Sequence, residues 1–230
     1  MGTSSFRNRA DAGQHLAKKL AAYAERSDVL VLALPRGGVP VAFEVAKALQ
    51  VSLDTFLVRK LGVPGQEELA MGAIAGYPSG GTVLRMLNKQ VAGALQIPEE
   101  VINKTAAEAE EELARRETLY RGDRPAPDVQ GRTVILIDDG LATGSTMRCA
   151  AAALRQQQPT RIVVAVPVGA PETCESFRAE VDEVVCVMTP TPFYAVGLWY
   201  EDFAQTTDEE VHDLLQRAAQ ELPVYPVRSE

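Results

Sequence analysis

The feature that most constrains this chain is one continuous stretch from residue 134 to residue 146. Four apolar residues are followed by two acids, three small or apolar residues and four polar or small residues, and in letters the stretch is VILIDDGLATGST. A continuous apolar run is typical of a strand that is covered on both faces. Asp138 and Asp139 then lie at its carboxyl end, where ligands bind in open α/β sheets. The stretch therefore predicts a buried parallel strand that carries two carboxylates to a ligand-binding edge.

The residues after the two acids predict an anion site. Residues 140–144 are mostly small, so the backbone can turn tightly into a helix whose first N–H groups and positive dipole end are exposed. Thr143, Ser145 and Thr146 add hydroxyl donors at the same place. The pattern indicates a cradle for a phosphate monoester, with the two acids as acceptors for the hydroxyls of an attached sugar. It contains neither the lysine of a Walker A loop nor a GxGxxG motif, which disfavours nucleoside triphosphate hydrolysis and dinucleotide binding.

The rest of the chain alternates between apolar runs and helical patterns. Apolar runs predict strands at 29–34, 51–58, 72–77, 82–87, 133–137, 161–166 and 183–187. Helical spacing predicts helices at 11–23, 39–49, 98–120, 145–157, 172–181 and 208–222. Such alternation predicts a single α/β domain over residues 1–230, with a mostly parallel twisted sheet flanked by helices.

Composition excludes several function classes. The 230 residues include 23 Lys and Arg against 31 Asp and Glu, a net charge of −8, which argues against a nucleic-acid partner because such binders need a basic face. No apolar stretch approaches the roughly 18 residues that span a membrane, and no secretory signal is visible, so we expect a cytoplasmic protein without a membrane partner. The three cysteines have no zinc-site spacing and are interpreted as core thiols.

Residues 134–146 resemble, at every position, the phosphoribosyl diphosphate (PRPP) motif of the type I phosphoribosyltransferases. The resemblance implies that Asp138 and Asp139 hold the ribose hydroxyls of PRPP and serve catalysis by orienting the sugar. It places the 5′-phosphate on a loop of five residues, Ala142, Thr143, Gly144, Ser145 and Thr146. It also implies the fold of that family, with a smaller hood and lid appended to the parallel sheet.

Two further segments match the family in chain order. After the first strand, family members carry a short loop, often with a non-proline cis peptide, that binds the diphosphate through backbone amides. Arg36, Gly37 and Gly38 occupy that place, and Lys60 resembles the basic catalytic residue that reaches the diphosphate. An ordinary glycine turn and a solvated charge at a strand end are the alternatives. A lid or insertion is expected at about 62–122, where Glu67 and Glu68 are interpreted as surface acids.

Residues 190–205 are similar to the hood of purine phosphoribosyltransferases. The resemblance assigns base stacking to aromatic residues, of which Phe193, Trp199 and Tyr200 are the candidates, although a core aromatic cluster is the alternative. Glu201 or Asp202 would be the acid that reaches a metal ion, and the implied Mg²⁺ would be held mainly by the substrate. One position departs from the six-oxopurine enzymes, since Ala142 stands where they place an acid/base aspartate.

The resemblance implies an enzyme of nucleotide salvage. It would transfer ribose 5-phosphate from PRPP to a purine-like or other small heteroaromatic base, release diphosphate, and act as a homodimer. The group it resembles is that of bacterial phosphoribosyltransferases without an assigned acceptor. Two alternatives stay open: a PRPP- or nucleotide-sensing regulator without turnover, and a hydrolase or phosphorylase that acts on ribose phosphates.

Overall fold

The computed structural model describes residues 5–80 and 82–224, except for the side chains of residues 67, 68 and 82. The strands are β1 (Val29–Ala33), β2 (Ser52–Thr55), β3 (Leu57–Val63), β4 (Gln66–Tyr77), β5 (Thr82–Leu87), β6 (Thr133–Ile137), β7 (Arg161–Val168) and β8 (Glu183–Met188). The helices are α1 (Arg9–Lys19), α2 (Gly38–Leu49), α3 (Lys89–Ala94), α4 (Glu99–Arg121), α5 (Ser145–Gln156), α6 (Pro171–Phe177) and α7 (Asp208–Glu221). Single turns of 3₁₀ helix lie at Ala21–Tyr23, Pro78–Gly80 and Val196–Trp199.

Five strands form the main sheet in the order β2-β1-β6-β7-β8, and every pairing between neighbours is parallel. Side chains alternate between the two faces of each strand, as a pleated strand requires. On β6, Ile135 and Ile137 pack in the core beneath α1, α2 and α7, whereas Val134 and Leu136 pack in the core beneath α5 and α6. Both faces are covered, which explains why these strands are continuous apolar runs and confirms the predicted fold class.

The strand order places a crevice between β1 and β6. The chain leaves β1 through α2 and returns in β2 on one side, and it leaves β6 through α5 and returns in β7 on the other side. The loops after β1 and β6 therefore diverge at the carboxyl edge of the sheet, which is where open α/β sheets bind ligands. Both predicted loops of the site start at this point.

Residues 57–87 form a second, antiparallel sheet with the order β3-β4-β5. The prediction of one strand over 51–58 was wrong, because the chain changes sheets at Phe56, whose N–H donates to the carbonyl of Ala33. The Phe56 ring is fully buried against Tyr77 with 5.4 Å between centroids. An apolar run cannot reveal such a change of sheet, because the residues before and after Phe56 are buried in both cases.

A buried ionic cluster connects the second sheet to the first. Arg121, at the end of α4, donates to Asp54 of β2 at 3.1 Å and to Glu117 at 2.7 Å. Glu117 in turn accepts hydrogen bonds from the backbone N–H and the hydroxyl of Ser79, at the β4–β5 turn. Each of the three charged side chains is at most 4% exposed. Residues expected to form a lid thus include an ordered sheet that is tied to β2 through α4.

The predicted helices are present, with shifted ends. The first begins at Arg9 rather than 11, because Asn8 caps it by accepting from the N–H of Asp11. The helix predicted at 172–181 is α6, which ends at Phe177. Among the described residues, no helix is both long enough and apolar enough to cross a membrane.

Candidate functional site

The two acids lie together at the carboxyl end of β6. Oδ1 of Asp138 accepts the N–H of Asp139 at 2.8 Å, and Oδ2 of Asp139 accepts Nε of Arg9 at 2.9 Å. Apart from a backbone contact of Asp139 with its own carboxylate, no hydrogen bond from the described residues reaches the second oxygen of either acid. Burial, together with the charge of Asp139, raises the pKa of Asp138 well above the usual carboxyl range. Each acid therefore keeps one oxygen available to a hydroxyl donor.

The glycine loop after β1 packs directly on these acids. A β-carbon on Gly37 would lie 2.0 Å from Oδ2 of Asp139, and one on Gly38 would lie 3.0 Å from the Cα of Asp138. The Pro35–Arg36 peptide bond is cis, the feature that the resemblance implies for this loop. The two predicted halves of the site are therefore in contact.

The two predicted cations lie on different elements of the fold. Arg36 is one-third exposed, and its Nη1 is 3.7 Å from Oδ1 of Asp208 at the start of α7. Lys60 is exposed on β3. Burial raises the pKa of the Cys149 thiol, and the nearby charge of Lys60 partly opposes that increase. Lys60 consequently lies close to α5, the helix that begins at the predicted phosphate loop.

The predicted phosphate loop, residues 142–146, packs against α6. Thr173 donates its hydroxyl to the carbonyl of Ala142 at 2.6 Å. Gly144 has a φ of +74°, and a β-carbon there would lie 2.5 Å from the Phe177 ring. Arg148 donates to the carbonyl of Thr143 at 2.9 Å. The carbonyls of Ala142 and Thr143 are thus engaged by the protein. At the N-terminus of α5, the N–H of Ser145 makes only a long contact of 3.5 Å with Oγ1 of Thr143, which an anion could replace.

The hood residues divide between the core and the surface. Tyr200 is 6% exposed, its ring centroid lies 5.6 Å from that of Phe6 and 5.0 Å from that of Phe203, and its hydroxyl donates to the carbonyl of Asp139 at 2.6 Å. Tyr200 is thus buried in an aromatic cluster with Phe6, which is the arrangement of the alternative that the sequence left open. Phe193 and Trp199 are partly buried beside the same cluster and keep part of their surface free. Their stacking role stays a prediction.

The acids predicted to reach a metal ion make local contacts. Glu201 is 3.4 Å from the hydroxyl of Ser5, and Oδ1 of Asp202 accepts the N–H of Ala204 at 3.0 Å. Across residues 5–80 and 82–224, no group of three or more His, Cys, Asp and Glu side chains could hold a metal ion. The described part of the site therefore contains no cluster of three such ligands.

Sequence reasoning missed the residues that support the loops. Arg9, Arg148 and Thr173 contact the acids or the phosphate loop, yet each comes from another element, and Arg9 precedes Asp139 by 130 positions. No local pattern marks them, since helical arginines and threonines are ordinary surface residues. Only the requirement that buried carboxylates and carbonyls have partners could have indicated that such residues exist.

Comparison with known proteins identifies relatives along most of the chain. The family model described as a phosphoribosyl transferase domain matches residues 4–198. A protein from two Mycobacterium tuberculosis strains, provisionally named a phosphoribosyl transferase, is 44% identical over 213 residues, which is 93% of this chain and 47% of the relative. The chain therefore spans about half the length of the curated relatives it matches.

A solved structure is similar over nearly the full length of both proteins. It is a crystal structure of a Thermus thermophilus protein that is 42% identical and superimposes with a TM-score of 0.77. The match covers 93% of this chain and 98% of that one. The similarity therefore extends over almost the whole of both chains.

Proposed function

Because the chain belongs to the phosphoribosyl transferase family, we propose that it transfers ribose 5-phosphate from PRPP to a nitrogenous base and releases diphosphate. The contact between the glycine loop and the paired acids carries this proposal. A sugar that carries a phosphate at one end and a diphosphate at the other needs two anion sites with hydroxyl acceptors between them. The loops after β1 and β6 offer this arrangement at one crevice of the sheet.

We assign the ribose to the paired acids. The free oxygens of Asp138 and Asp139 are the acceptors for its two hydroxyls, while their other oxygens are fixed by the protein. The N–H groups and hydroxyls of residues 142–146 receive the 5′-phosphate, because the N-terminus of α5 favours negative charge. These contacts orient the sugar before reaction, so the bond to the diphosphate is presented consistently to the acceptor.

The diphosphate is assigned to the glycine loop and two cations. Gly37 and Gly38 allow the backbone to approach the ligand closely, and Arg36 and Lys60 supply positive charge. Charge develops on the diphosphate as the C1–O bond breaks and the ribose gains oxocarbenium character. Preorganised donors and cations at that position stabilise the transition state more than the ground state.

Mg²⁺ fits this site only as an ion that arrives with the substrate, because the described residues include no complete ligand set for it. It typically binds one or two carboxylates together with substrate phosphates and waters. When bound, Mg²⁺ would supply additional neutralisation of the departing diphosphate. Glu201 and Asp202 are exposed and stay candidates for a water-mediated contact.

The acceptor is proposed to be a flat heteroaromatic base, of purine-like shape, that stacks on Phe193 or Trp199. Stacking supplies affinity without requiring one hydrogen-bond pattern. Residues of the lid, at about 62–122, would close over the site and exclude water, which would otherwise hydrolyse PRPP. The homodimer and the role in nucleotide salvage stay predictions.

The decisive experiment is to incubate the protein with labelled PRPP, Mg²⁺ and a panel of bases and to follow diphosphate and nucleotide. Base-dependent release of both products is the expected result. Tight PRPP binding without turnover of any base would favour the PRPP-sensing regulator. Ribose 5-phosphate release without a base, at the rate seen with one, would favour the hydrolase. A protein that neither binds nor consumes PRPP would contradict the proposal.

A further inference from the structure

Arg9, the first residue of α1, is held on several sides at the site. Its Nε donates to Oδ2 of Asp139 at 2.9 Å, and its Nη1 donates to the carbonyl of Ala204 at 2.6 Å. Its guanidinium lies 4.0 Å from the centroid of the Phe203 ring. The Arg9 side chain is 12% exposed, whereas that of Arg7 is 73% exposed. Arg9 is therefore a fixed internal contact between α1, the hood and the second acid.

These contacts determine which part of Asp139 faces a ligand. Oδ2 is occupied by Arg9, and the backbone carbonyl of Asp139 accepts the hydroxyl of Tyr200. The carboxylate therefore cannot rotate without losing a charge-assisted hydrogen bond, and Oδ1 is the oxygen left for a ribose hydroxyl. Burial raises the pKa of Asp139, while the charge and the hydrogen bond of Arg9 oppose that increase. Arg9 thus favours both the orientation and the charged form of the acid.

We propose that Arg9 is a positioning residue for PRPP, one that holds Asp139 with Oδ1 turned to the ribose and links this acid to the hood. This inference rests on the proposed function, because it concerns the binding of the same substrate. Arg9 itself acts through Asp139 and is not assigned a contact with PRPP. The alternative is a purely structural ion pair, whose removal lowers stability but leaves the affinity of the folded protein unchanged.

A set of variants separates these two roles. PRPP affinity is measured by calorimetry for wild type, Arg9→Met, Arg9→Lys, Asp139→Asn and the double variant Arg9→Met/Asp139→Asn, below the unfolding temperature of each protein. Arg7→Met is the matched control, because it removes an exposed arginine two positions away. If Arg9→Met is too unstable to purify, Arg9→Leu replaces it, since it also removes both the charge and the N–H donors.

We expect Arg9→Met to weaken PRPP binding about 10- to 100-fold, the usual effect of losing a hydrogen bond to a charged group. Arg9→Lys should recover part of the affinity, because an ammonium can still pair with Asp139. It lacks the planar guanidinium that donates to Asp139 and to the carbonyl of Ala204 at the same time. Arg7→Met should stay within about twofold of wild type, as exposed pairs contribute little. The double variant should bind no more weakly than Asp139→Asn alone, because Arg9 acts through that acid.

Three results would overturn the inference. Arg9→Met could match Arg7→Met in affinity while its melting temperature falls, which is the signature of the structural role. The effects of Arg9→Met and Asp139→Asn could add fully in the double variant, which would show that Arg9 does not act through Asp139. A wild-type protein that binds no PRPP would overturn the proposed function as well, so the two failures are distinguishable.

Discussion

A β-carbon added to Gly37 would lie 2.0 Å from Oδ2 of Asp139. Gly37 has φ −60° and ψ −29°, a conformation that any residue adopts, so backbone freedom does not explain the glycine. The requirement is close approach: the loop after β1 must lie against the acid at the end of β6. The close distance between the loop after β1 and Asp139 therefore depends on the absence of one side chain.

Replacing Gly37 by Ala should displace the Asp139 carboxylate and weaken PRPP binding. Overpacking of this kind costs about 1–3 kcal/mol, which corresponds to a loss of affinity of about 5- to 150-fold. Gly131→Ala is the control, because Gly131 has a φ of +70° in open space just before β6, at the opposite edge of the sheet. It should cost about 1 kcal/mol of stability through backbone strain and leave PRPP affinity unchanged. Equal affinities in a calorimetric titration would contradict the importance of this contact.

Asp138→Asn should raise stability at neutral pH while it lowers activity. Burial and the charge of Asp139 raise the pKa of Asp138 in the folded protein, so ionising it costs stability. That cost is absent below the unfolded carboxyl pKa of about 4 and appears as the pH rises towards the folded pKa. The asparagine removes the charge and still accepts the N–H of Asp139. We expect a higher melting temperature at pH 7, no gain at acid pH, and turnover about 10- to 100-fold lower.

Asp182→Asn is the matched control, for which we expect the opposite change in melting temperature. Hydrogen bonds from Ile162 and Arg155 outweigh burial and lower the pKa of Asp182, so its ionised form contributes stability above the unfolded carboxyl pKa. The variant should therefore melt at a lower temperature than wild type at pH 7, with the difference lost as the pH falls through the folded pKa. Its PRPP turnover should be unchanged. If both asparagine variants moved the melting temperature in the same direction, the electrostatic explanation for Asp138 would be wrong.

The sequence predicted the parts of this site that are contiguous in the chain. Burial of β6 on both faces follows from its apolar run, and the positions of Asp138 and Asp139 follow from its end. The sequence could not predict contacts between distant elements, such as Arg9 with Asp139 or Thr173 with Ala142. The burial of Tyr200 also depends on packing between distant elements, because the sequence around an aromatic residue is the same whether its ring fills the core or stacks on a ligand.

Removing two hydroxyls from the phosphate loop should weaken PRPP binding without unfolding the protein. Thr143→Val/Thr146→Val preserves side-chain shape, and each lost hydrogen bond to a phosphate oxygen is worth about 1.5–3 kcal/mol. We expect an affinity at least about tenfold lower and a melting temperature close to that of wild type. Thr118→Val serves as the control, because that hydroxyl donates to the carbonyl of Ala114 on the exposed face of α4. Unchanged calorimetric affinity in a folded double variant would contradict the phosphate assignment.

Asp208→Asn should tighten PRPP binding, because it releases Arg36. Without substrate, Nη1 of Arg36 lies 3.7 Å from Oδ1 of Asp208, and that oxygen also accepts the hydroxyl of Tyr120 at 2.5 Å. Partly exposed ion pairs contribute about 0.2–1 kcal/mol, so affinity should rise by no more than about fivefold. Asp213→Asn, an exposed position on the same helix, should have no effect. Weaker binding by Asp208→Asn would show that Asp208 positions Arg36 for the diphosphate instead of competing for it.

The last prediction concerns the acceptor base and Ala142. By the resemblance, this motif departs here from that of the six-oxopurine enzymes, which place an aspartate at this position as an acid/base partner of the purine ring, whereas an alanine cannot transfer a proton. Hypoxanthine and guanine should therefore be poor acceptors compared with the native base, whereas Ala142→Asp should raise turnover of hypoxanthine relative to adenine. The measurement is diphosphate release from PRPP with adenine, hypoxanthine, guanine, orotate and uracil in Mg²⁺ buffer, for wild type and the variant. Because the carbonyl of Ala142 is held by Thr173, the substitution changes the side chain on a backbone that is already fixed. Efficient hypoxanthine turnover by the wild type would show that another group supplies the proton, and would remove Ala142 as a determinant of specificity.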